Sequence, residues 1–256
     1  MKSIAILPAR MGASRFPGKP MHLINGIPLI GHCYYRTKLA QGLDDIYVAT
    51  CDREIAEYIE GIGGKAVMTS MSHNRATDRT AEAMLKVEAT TGTKVDVVVM
   101  VQGDEPLIYP DMVDDILLHF EDPNNEIVNL MSRLTSRSLF EDKNNVKVVS
   151  DLNNNALYFS REPVPSPWKG IDDIPMYMQV GIIGFRRDSL FKFNELDETP
   201  LEQIESVDMN RILETGGRIK MVPTDRTMIG VDTIEEAEMV GSVLVEDQLF
   251  NEYGQI

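Results

Sequence analysis

The stretch Val95–Pro106, VDVVVMVQGDEP, decides the predicted fold of this chain. Its apolar residues continue without the polar alternation of a half-exposed strand, which is typical of a central strand covered on both faces. Two carboxylates, Asp104 and Glu105, follow directly after the apolar run. We therefore predict a buried strand whose carboxyl end opens onto a polar site.

The sequence before this stretch alternates short apolar runs with segments of helical period. The other strand candidates of the first half are Ile4–Leu7, Ile46–Ala49 and Lys65–Met68. The helix candidates between them are Pro28–Gln41, Asp52–Ile62 and Thr77–Thr90. This alternation predicts an α/β fold with a mostly parallel sheet flanked by helices.

The second half is less regular and predicts an antiparallel addition to that sheet. The segment NNVKVVSDLNNNALYFSREPVP indicates two strands around an Asn-rich turn at Asp151–Asn155. Further predicted elements are a helix at Pro110–Phe120, strands at Ile127–Leu130, QVGIIGF and GRIKMV, one helix over PLEQIESVDMNRILETGG, and a short strand, a Thr233 cap and a helix in IGVDTIEEAEMVGSVLVEDQ. No composition break indicates a linker, so residues 1–256 are predicted to form a single domain.

The overall charge limits the classes of partner. Lys and Arg number 25 against 40 Asp and Glu, a formal net charge of −15, which disfavours binding to nucleic acid or to an anionic membrane. Only Cys33 and Cys51 are present, without the spacing of a zinc site or a disulfide framework. No apolar run approaches ~18 residues, so we expect a cytoplasmic protein without membrane insertion.

The loop after the first strand carries a local cluster of positive charge. In ILPARMGASRFPGKP, residues 6–20, Arg10, Arg15 and Lys19 lie among two glycines. Such loops let backbone N–H groups approach a phosphate closely. The segment is not a Walker A loop, because Gly12 and Gly18 are too far apart and Pro20 follows the lysine. The alternative is an ordinary basic surface loop.

Other polar residues have both a functional and a structural interpretation. Asp104 and Asp232 are candidate Mg²⁺ ligands, and the alternative for each is a helix or turn cap. Thr77 and Arg79 start a helix whose amino end favours anions, or they decorate an amphipathic surface. Arg161 follows a strand and could bind a ligand or pair with a surface carboxylate.

Several motifs together resemble one known family, the 3-deoxy-manno-octulosonate (KDO) cytidylyltransferases. In chain order they are PARMGASRFPGKP, INGIPLIGH, IYVATCD, GGKAVMTS, TDRTAEA, VQGDEPLI, VKVV, ALYFSREPVP, GIIGF, PLEQIE and IGVDT. The ordered set covers nearly the whole chain. The resemblance implies a nucleotide-diphospho-sugar-transferase-like, Rossmann-type layered fold and a homodimer, with residues 145–190 as the expected contact.

The resemblance also implies a reaction and roles for residues. An acid sugar would attack the α-phosphate of CTP, with Mg²⁺ as cofactor, giving CMP-sugar and pyrophosphate for lipopolysaccharide biosynthesis. By motif position Lys19, Arg10 and Arg15 are the expected catalytic residues, and Asp104 and Asp232 the metal ligands. The expected substrate-binding residues are Thr77, Arg79, Gln102, Arg161, Gln179 and Arg75.

The departures from the family concern the sugar end. A His-Leu-Gly-Ile-Tyr-Gly-Tyr run is replaced by Gln179–Phe185, a Glu-Gln pair by Asp208-Met209, and a Ser-Gly pair by Arg75-Ala76. Sugars are recognised through hydrogen bonds, so the alternatives to KDO are another ulosonic acid or a small acidic molecule such as a phosphonate, with Arg75 as an added anion contact. A non-catalytic nucleotide-binding protein and a nucleotide other than CTP are further alternatives.

Overall fold

The computed structural model describes residues 1–12, 16–168 and 176–254. Its strands are β1 (Ser3–Ala9), β2 (Leu23–Ile24), β3 (Ile27–Pro28), β4 (Asp45–Thr50), β5 (Ala66–Met68), β6 (Val97–Val101), β7 (Ile127–Arg133), β8 (Lys147–Ser150), β9 (Ala156–Ser160), β10 (Tyr177–Arg186) and β11 (Lys220–Thr224). Its α-helices are α1 (Leu29–Lys38), α2 (Arg53–Gly61), α3 (Ala76–Thr91), α4 (Pro110–Leu118), α5 (Arg137–Glu141), α6 (Arg187–Glu195), α7 (Pro200–Glu205), α8 (Asn210–Glu214), α9 (Ile234–Glu246) and α10 (Gln248–Tyr253). Lys19–Met21 and His119–Glu121 form 3₁₀ turns.

The main sheet has the strand order β11-β7-β10-β6-β1-β4-β5. β1 pairs in parallel with both β4 and β6, and β4 with β5. β10 lies antiparallel between β6 and β7 and also pairs with β8, which carries β9 at its other edge. The predicted fold class, a mostly parallel sheet with an antiparallel addition, is confirmed.

The strand β6 is buried on both faces, as its unbroken apolar sequence predicts. Val97, Val99 and Val101 pack into a core with helices α1, α2 and α4. Val98 and Met100 pack on the other face into a core with α3, α6 and α8. Helices therefore cover both sides of the sheet at β6, and the carboxyl ends of the strands are the expected place for a ligand.

Two predicted elements of the second half are wrong. The single helix over residues 200–217 is divided into α7 and α8, because Ser206 adopts the left-handed conformation with φ 53° and ends α7. The short strand before Thr233 is not formed; instead the Val231 N–H donates to the Asp104 carbonyl. The sequence also did not predict the hairpin of β2 and β3 or the helices α5, α6 and α10.

Helices of the described ranges are too short or too polar to cross a membrane. Cys33 and Cys51 are both free thiols. Part of the expected dimer contact, residues 169–175, lies outside the described residues.

Candidate active site

The site lies beyond the carboxyl ends of β1 and β6, which are neighbours in the sheet. β1 leads to Arg10, and β6 leads to Gln102, Gly103 and Asp104. A cavity of about 320 Å³ opens there. Its polar lining side chains are Arg10, Lys19, His73, Asn74, Arg75, Arg79, Gln102, Asp104 and Asp232. The structure therefore brings residues from four distant segments to the place where a doubly wound sheet binds ligands.

The centre of the cavity is an ion-pair cluster around Lys19. Its Nζ lies 2.9 Å from Asp104 Oδ2 and 2.9 Å from Asp232 Oδ1. Gly18, at φ 75°, turns the chain into the 3₁₀ turn that begins with Lys19, a conformation that favours glycine. Burial alone would lower the pKa of Lys19, but the two carboxylates outweigh it and raise the pKa above its ordinary value. The side chain is therefore an ammonium at neutral pH.

The capping alternatives for the two aspartates do not describe this structure. Helix α9 is capped by Thr233, whose Oγ1 accepts from the Glu236 N–H at 3.2 Å while Glu236 Oε2 accepts from the Thr233 N–H at 2.8 Å. Glu236 also accepts the backbone N–H of Asp232, so the Asp232 carboxylate faces Lys19 rather than the helix. The first helix after Asp104, α4, has Tyr109 at its N-cap.

Two converging carboxylates fit a magnesium ion better than a zinc ion. Among the described residues no group of three His, Cys, Asp or Glu side chains could enclose a metal. Mg²⁺, however, commonly uses one or two protein carboxylates and completes its shell with substrate phosphates and water. Asp104 and Asp232 are suited to that role.

The other cationic side chains of the cavity differ in their exposure and in their hydrogen-bond partners. Arg10 is exposed and its Nη1 reaches the His73 carbonyl only at 3.4 Å. Arg79 is buried, donates through Nη1 to Thr69, and among described residues its Nη2 has no hydrogen-bond partner. Thr77, two residues earlier in α3, is fully buried and lines neither cavity, and its hydroxyl also lacks a partner among the described residues. Arg15 lies outside the described residues.

Arg75 lines the same cavity, but carboxylates already surround it. Its Nη2 lies 2.5 Å from Glu198 Oε1 and 3.0 Å from Glu202 Oε1. Glu202 is fully buried and also binds Arg211. A new anion at Arg75 would have to compete with these two glutamates, and the role of an added anion contact stays a prediction.

A second cavity, of about 310 Å³, adjoins the first. Gln102, Asp104 and Asp232 line both. Arg161 lines the second, where its Nε donates to the Glu205 carbonyl and its Nη1 to the Lys143 carbonyl. Both partners are carbonyl groups, while the nearby Glu205 carboxylate accepts from the Arg161 backbone N–H at 2.8 Å and interacts with the charge of the guanidinium. Gln179 and Asp208 lie on the same lining.

Glu105 is a residue of this region that the sequence did not single out for a role. It is 8% exposed, and its Oε1 accepts from the Gly181 N–H at 2.9 Å. Burial, followed by the charge of Asp104, raises the pKa of Glu105 to about 7. Its position after the strand β6 was the available signal. Its contact with Gly181 depends on the distant strand β10 and is invisible in the sequence.

Comparison with known proteins identifies the family. Residues 4–220 match the family described as cytidylyltransferase. The chain belongs to this family. The 3-deoxy-manno-octulosonate cytidylyltransferase of Fusobacterium nucleatum subsp. nucleatum is 38% identical over 250 residues, covering 97% of this chain and 99% of the relative. That of Geobacter sulfurreducens is 40% identical over 251 residues, covering 94% and 98%.

Solved structures of cytidylyltransferases and related enzymes show the same fold. A CMP:2-keto-3-deoxy-manno-octonic acid synthetase complexed with CTP matches with a TM-score of 0.88 and 35% identity, covering 96% of this chain and 99% of that one. A putative glucose-1-phosphate thymidylyltransferase from Bacillus anthracis shares the fold, with a TM-score of 0.66 at 16% identity over 97% and 99% of the chains. The predicted family resemblance and the predicted enzyme class, a nucleotidyltransferase, are confirmed. The roles of individual residues stay predictions.

Proposed function

We propose that this cytidylyltransferase transfers CMP from CTP to an acid sugar, KDO, in a Mg²⁺-dependent reaction that releases pyrophosphate. The observation that carries the proposal is the pair of adjoining cavities that share Gln102, Asp104 and Asp232. One cavity has the cations that a triphosphate needs, and the other has the guanidinium of Arg161. The names of the relatives supply the identities of CTP and KDO.

In the proposed reaction the anomeric hydroxyl of the sugar attacks the α-phosphorus of CTP, and the bond to the β-phosphate oxygen breaks. Such transfers need alignment and charge neutralisation more than covalent chemistry from the protein. Lys19 and Arg10 would contact the phosphate oxygens as negative charge develops, and Arg79 would offer its unpartnered Nη2 to the nucleotide. Thr77 lines neither cavity, so its contact with the nucleotide stays a prediction. Arg15, by its motif position, would join them.

Asp104 and Asp232 would hold the magnesium ion, which when bound neutralises phosphate charge. Their convergence on Lys19 supports this assignment. The three side chains carry a net charge of −1, so the cluster attracts a divalent cation even with the lysine in place. Arg161, which lines the second cavity, would bind the carboxylate of the sugar through its guanidinium.

The cellular setting and the assembly are part of the proposal. We place the enzyme in the cytoplasm, the compartment of CTP, which suits its two free thiols. We also propose a homodimer through residues 145–190. In that segment Leu152, Leu157 and Trp168 are exposed apolar side chains, and within the described residues β9 pairs only with β8. Light scattering of the purified protein would report the dimer mass, and a monomer would contradict it.

The test of function is product formation. The protein is incubated with CTP, Mg²⁺ and KDO, and pyrophosphate and CMP-KDO are measured together. We expect both in equal amounts, with no product when CTP is replaced by UTP or GTP. Turnover with UTP or GTP instead of CTP would favour the other-nucleotide alternative. Pyrophosphate release with a phosphonate but not with KDO would favour the other acidic acceptor. CTP binding that ignores Mg²⁺, without turnover on any acidic acceptor, would show a non-catalytic nucleotide-binding protein.

A further inference from the structure

Asp52 stands at the N-cap of helix α2, but its side chain does not cap the helix. It precedes Arg53, the first residue of α2, and has the extended backbone typical of an N-cap, with φ −106° and ψ 123°. An aspartate in this place usually accepts an N–H from the first turn of its helix. In the described part of the chain, which includes all of α2, the Asp52 side chain makes no such bond. Its carboxylate is therefore engaged elsewhere.

The partner of the Asp52 carboxylate is the backbone of the loop after β1. Asp52 Oδ2 accepts from the Met11 N–H at 2.8 Å. The sheet brings the two residues side by side, because β1 and β4 are parallel and Ala9 pairs with Thr50 at the ends of these strands. The Asp52 N–H donates to Thr50 Oγ1 at 3.0 Å. A carboxylate held at the end of β4 thus holds a peptide group of the neighbouring segment.

Met11 connects two of the cations of the first cavity. The N–H that Asp52 accepts belongs to the peptide that joins Arg10 to Met11. The Met11 carbonyl accepts from the Gly18 N–H at 3.0 Å, and Gly18 directly precedes Lys19. Arg10 and Lys19 both line the first cavity, whereas Asp52 lines neither cavity. One backbone position, anchored by Asp52, therefore sets where both cationic side chains begin.

We propose that Asp52 is a positioning residue for the phosphates of CTP, which acts by holding the Met11 peptide and, with it, the two cations on either side. This inference rests on the proposed function and adds a residue that aligns its phosphate contacts. As an anion Asp52 would repel a triphosphate, so it does not serve as a direct contact. A carboxylate accepts a stronger hydrogen bond from an N–H than a neutral oxygen does, which suits it to fixing one peptide.

The experiment measures the binding of CTP separately from turnover. The Kd of CTP in the presence of Mg²⁺ is measured by calorimetry for the wild type, Asp52→Ala and Asp52→Asn. We expect Asp52→Ala to raise the Kd about 10-fold or more, as for the loss of a hydrogen bond to a charged group. Asp52→Asn keeps an oxygen that can accept from the Met11 N–H and should restore a Kd near the wild-type value. A merely structural role would lower stability in urea and leave the Kd of the folded protein unchanged.

Two further variants complete the design. Asp52→Ser is too short to replace the carboxylate at Met11, but serine is itself a preferred N-cap, so this variant should fold and still have a raised Kd. Asp114→Ala is the matched control. Asp114 is half-buried like Asp52, its Oδ1 accepts from the Gly42 N–H at 2.7 Å, and it lines neither cavity of the site. Asp114→Ala should keep the wild-type Kd.

The possible failures point to different conclusions. Wild-type affinity for CTP in folded Asp52→Ala or Asp52→Ser would overturn the inference and leave the proposed function intact. An Asp52→Asn variant as weak as Asp52→Ala would also overturn it, because the charge of Asp52 and not its hydrogen bond would then be responsible. No binding of CTP by the wild type would overturn the proposed function and, with it, the inference.

Discussion

Lys19 is the residue on which the charge balance of the site depends. It is the cation within 2.9 Å of both candidate metal ligands, and its side chain is only 13% exposed. Asp104 and Asp232 come from segments 85 and 213 residues away along the chain. Without Lys19 the two carboxylates would lose the cation they share, and in the proposed reaction the phosphate would lose a positively charged donor.

Replacing Lys19 with methionine should lower kcat by about 10²–10³-fold, the usual loss for one electrostatic contact to a transition state. The measurement is the rate of pyrophosphate release at saturating CTP and KDO. Lys65→Met is the matched control, because Lys65 is exposed and pairs with Asp45 outside both cavities. A Lys19→Met enzyme within threefold of wild type would contradict the assignment.

Asp232→Asn should raise the Mg²⁺ concentration needed for half-maximal rate by about 10-fold or more, because one charged ligand is lost. The readout is the rate as a function of Mg²⁺ at fixed substrates. Asp188→Asn removes a carboxylate that is 70% exposed and lies in neither of the two cavities of the site, and should leave the Mg²⁺ dependence unchanged. An unaltered Mg²⁺ dependence in Asp232→Asn would remove Asp232 from the metal site.

The sequence identified the charged residues of the site more readily than the uncharged polar residues that lie around them. Arg10 and Lys19 were singled out as a local cluster of positive charge, Asp104 and Asp232 as carboxylates after apolar runs, and the family resemblance supplied their expected roles. Asn129 in β7 gave no such signal, since its buried Nδ2 donates to the Val180 and Ile182 carbonyls of β10, 51 and 53 residues further along the chain. Contacts of that kind follow from which strands become neighbours, and local sequence patterns do not specify this.

At the scale of elements, the strand β10 gives the site its shape. It lies antiparallel between β6 and β7, and its register against β7 shifts between Gln179 and Ile183. This irregularity includes Gly181, where an added Cβ would lie 3.0 Å from Gln102 Cβ and 3.0 Å from Glu105 Oε1. The glycine thus permits β10 to pass close to the carboxyl end of β6.

Gly181→Ala should destabilise the protein by about 1–3 kcal/mol, the usual cost of overpacking. Urea unfolding provides the free energy of unfolding. Gly61→Ala is the control, since nothing lies within 4 Å of a Cβ added there; in helix α2 it should be neutral or stabilising by up to about 1 kcal/mol. If the two variants have the same free energy of unfolding, the site at Gly181 has room for a Cβ and the prediction is wrong.

The elements of the first half were predicted well, because periodicity and caps are local signals. The strand β10 was also recognised as a strand, but its antiparallel position between β6 and β7 was not. The division of residues 200–217 into α7 and α8 was missed because a serine at φ 53° has no distinctive sequence pattern. The residues before and after Ser206 favour helix, so no sign of a break between them is visible in the sequence.

At the scale of the whole molecule, a buried network attaches the carboxyl-terminal helix to the body of the fold. His32 in α1 is fully buried between the Ile24 carbonyl, 2.8 Å from its Nε2, and the Tyr253 hydroxyl, 2.9 Å from its Nδ1. The carbonyl requires a proton on Nε2, so the neutral ring accepts from Tyr253 through Nδ1. Burial foremost, and then the charge of Arg36, lowers the pKa of His32 to about 4.

This histidine should make stability depend on pH. The pKa in the folded state lies below the unfolded value of about 6.5, so the unfolded chain binds the proton first and stability falls as pH decreases from 6.5 toward 4. Between pH 7 and pH 5 His32 should account for a loss of about 2 kcal/mol. Urea unfolding of the wild type and of His32→Gln at both pH values measures this, since the other titrating groups are common to both proteins. If the free energy of unfolding falls by the same amount between pH 7 and pH 5 in both proteins, His32 is not the group responsible.

The central claim is that a nucleotide cavity, which contains Lys19, and an acid-sugar cavity meet at Gln102, Asp104 and Asp232. The most direct test is a crystal structure of the protein with CTP and KDO bound together. We predict the triphosphate against Lys19, the sugar carboxylate against Arg161, and the anomeric oxygen roughly 3–3.5 Å from the α-phosphorus. A nucleotide bound outside the first cavity, or a sugar too far from the α-phosphate to react, would contradict the account.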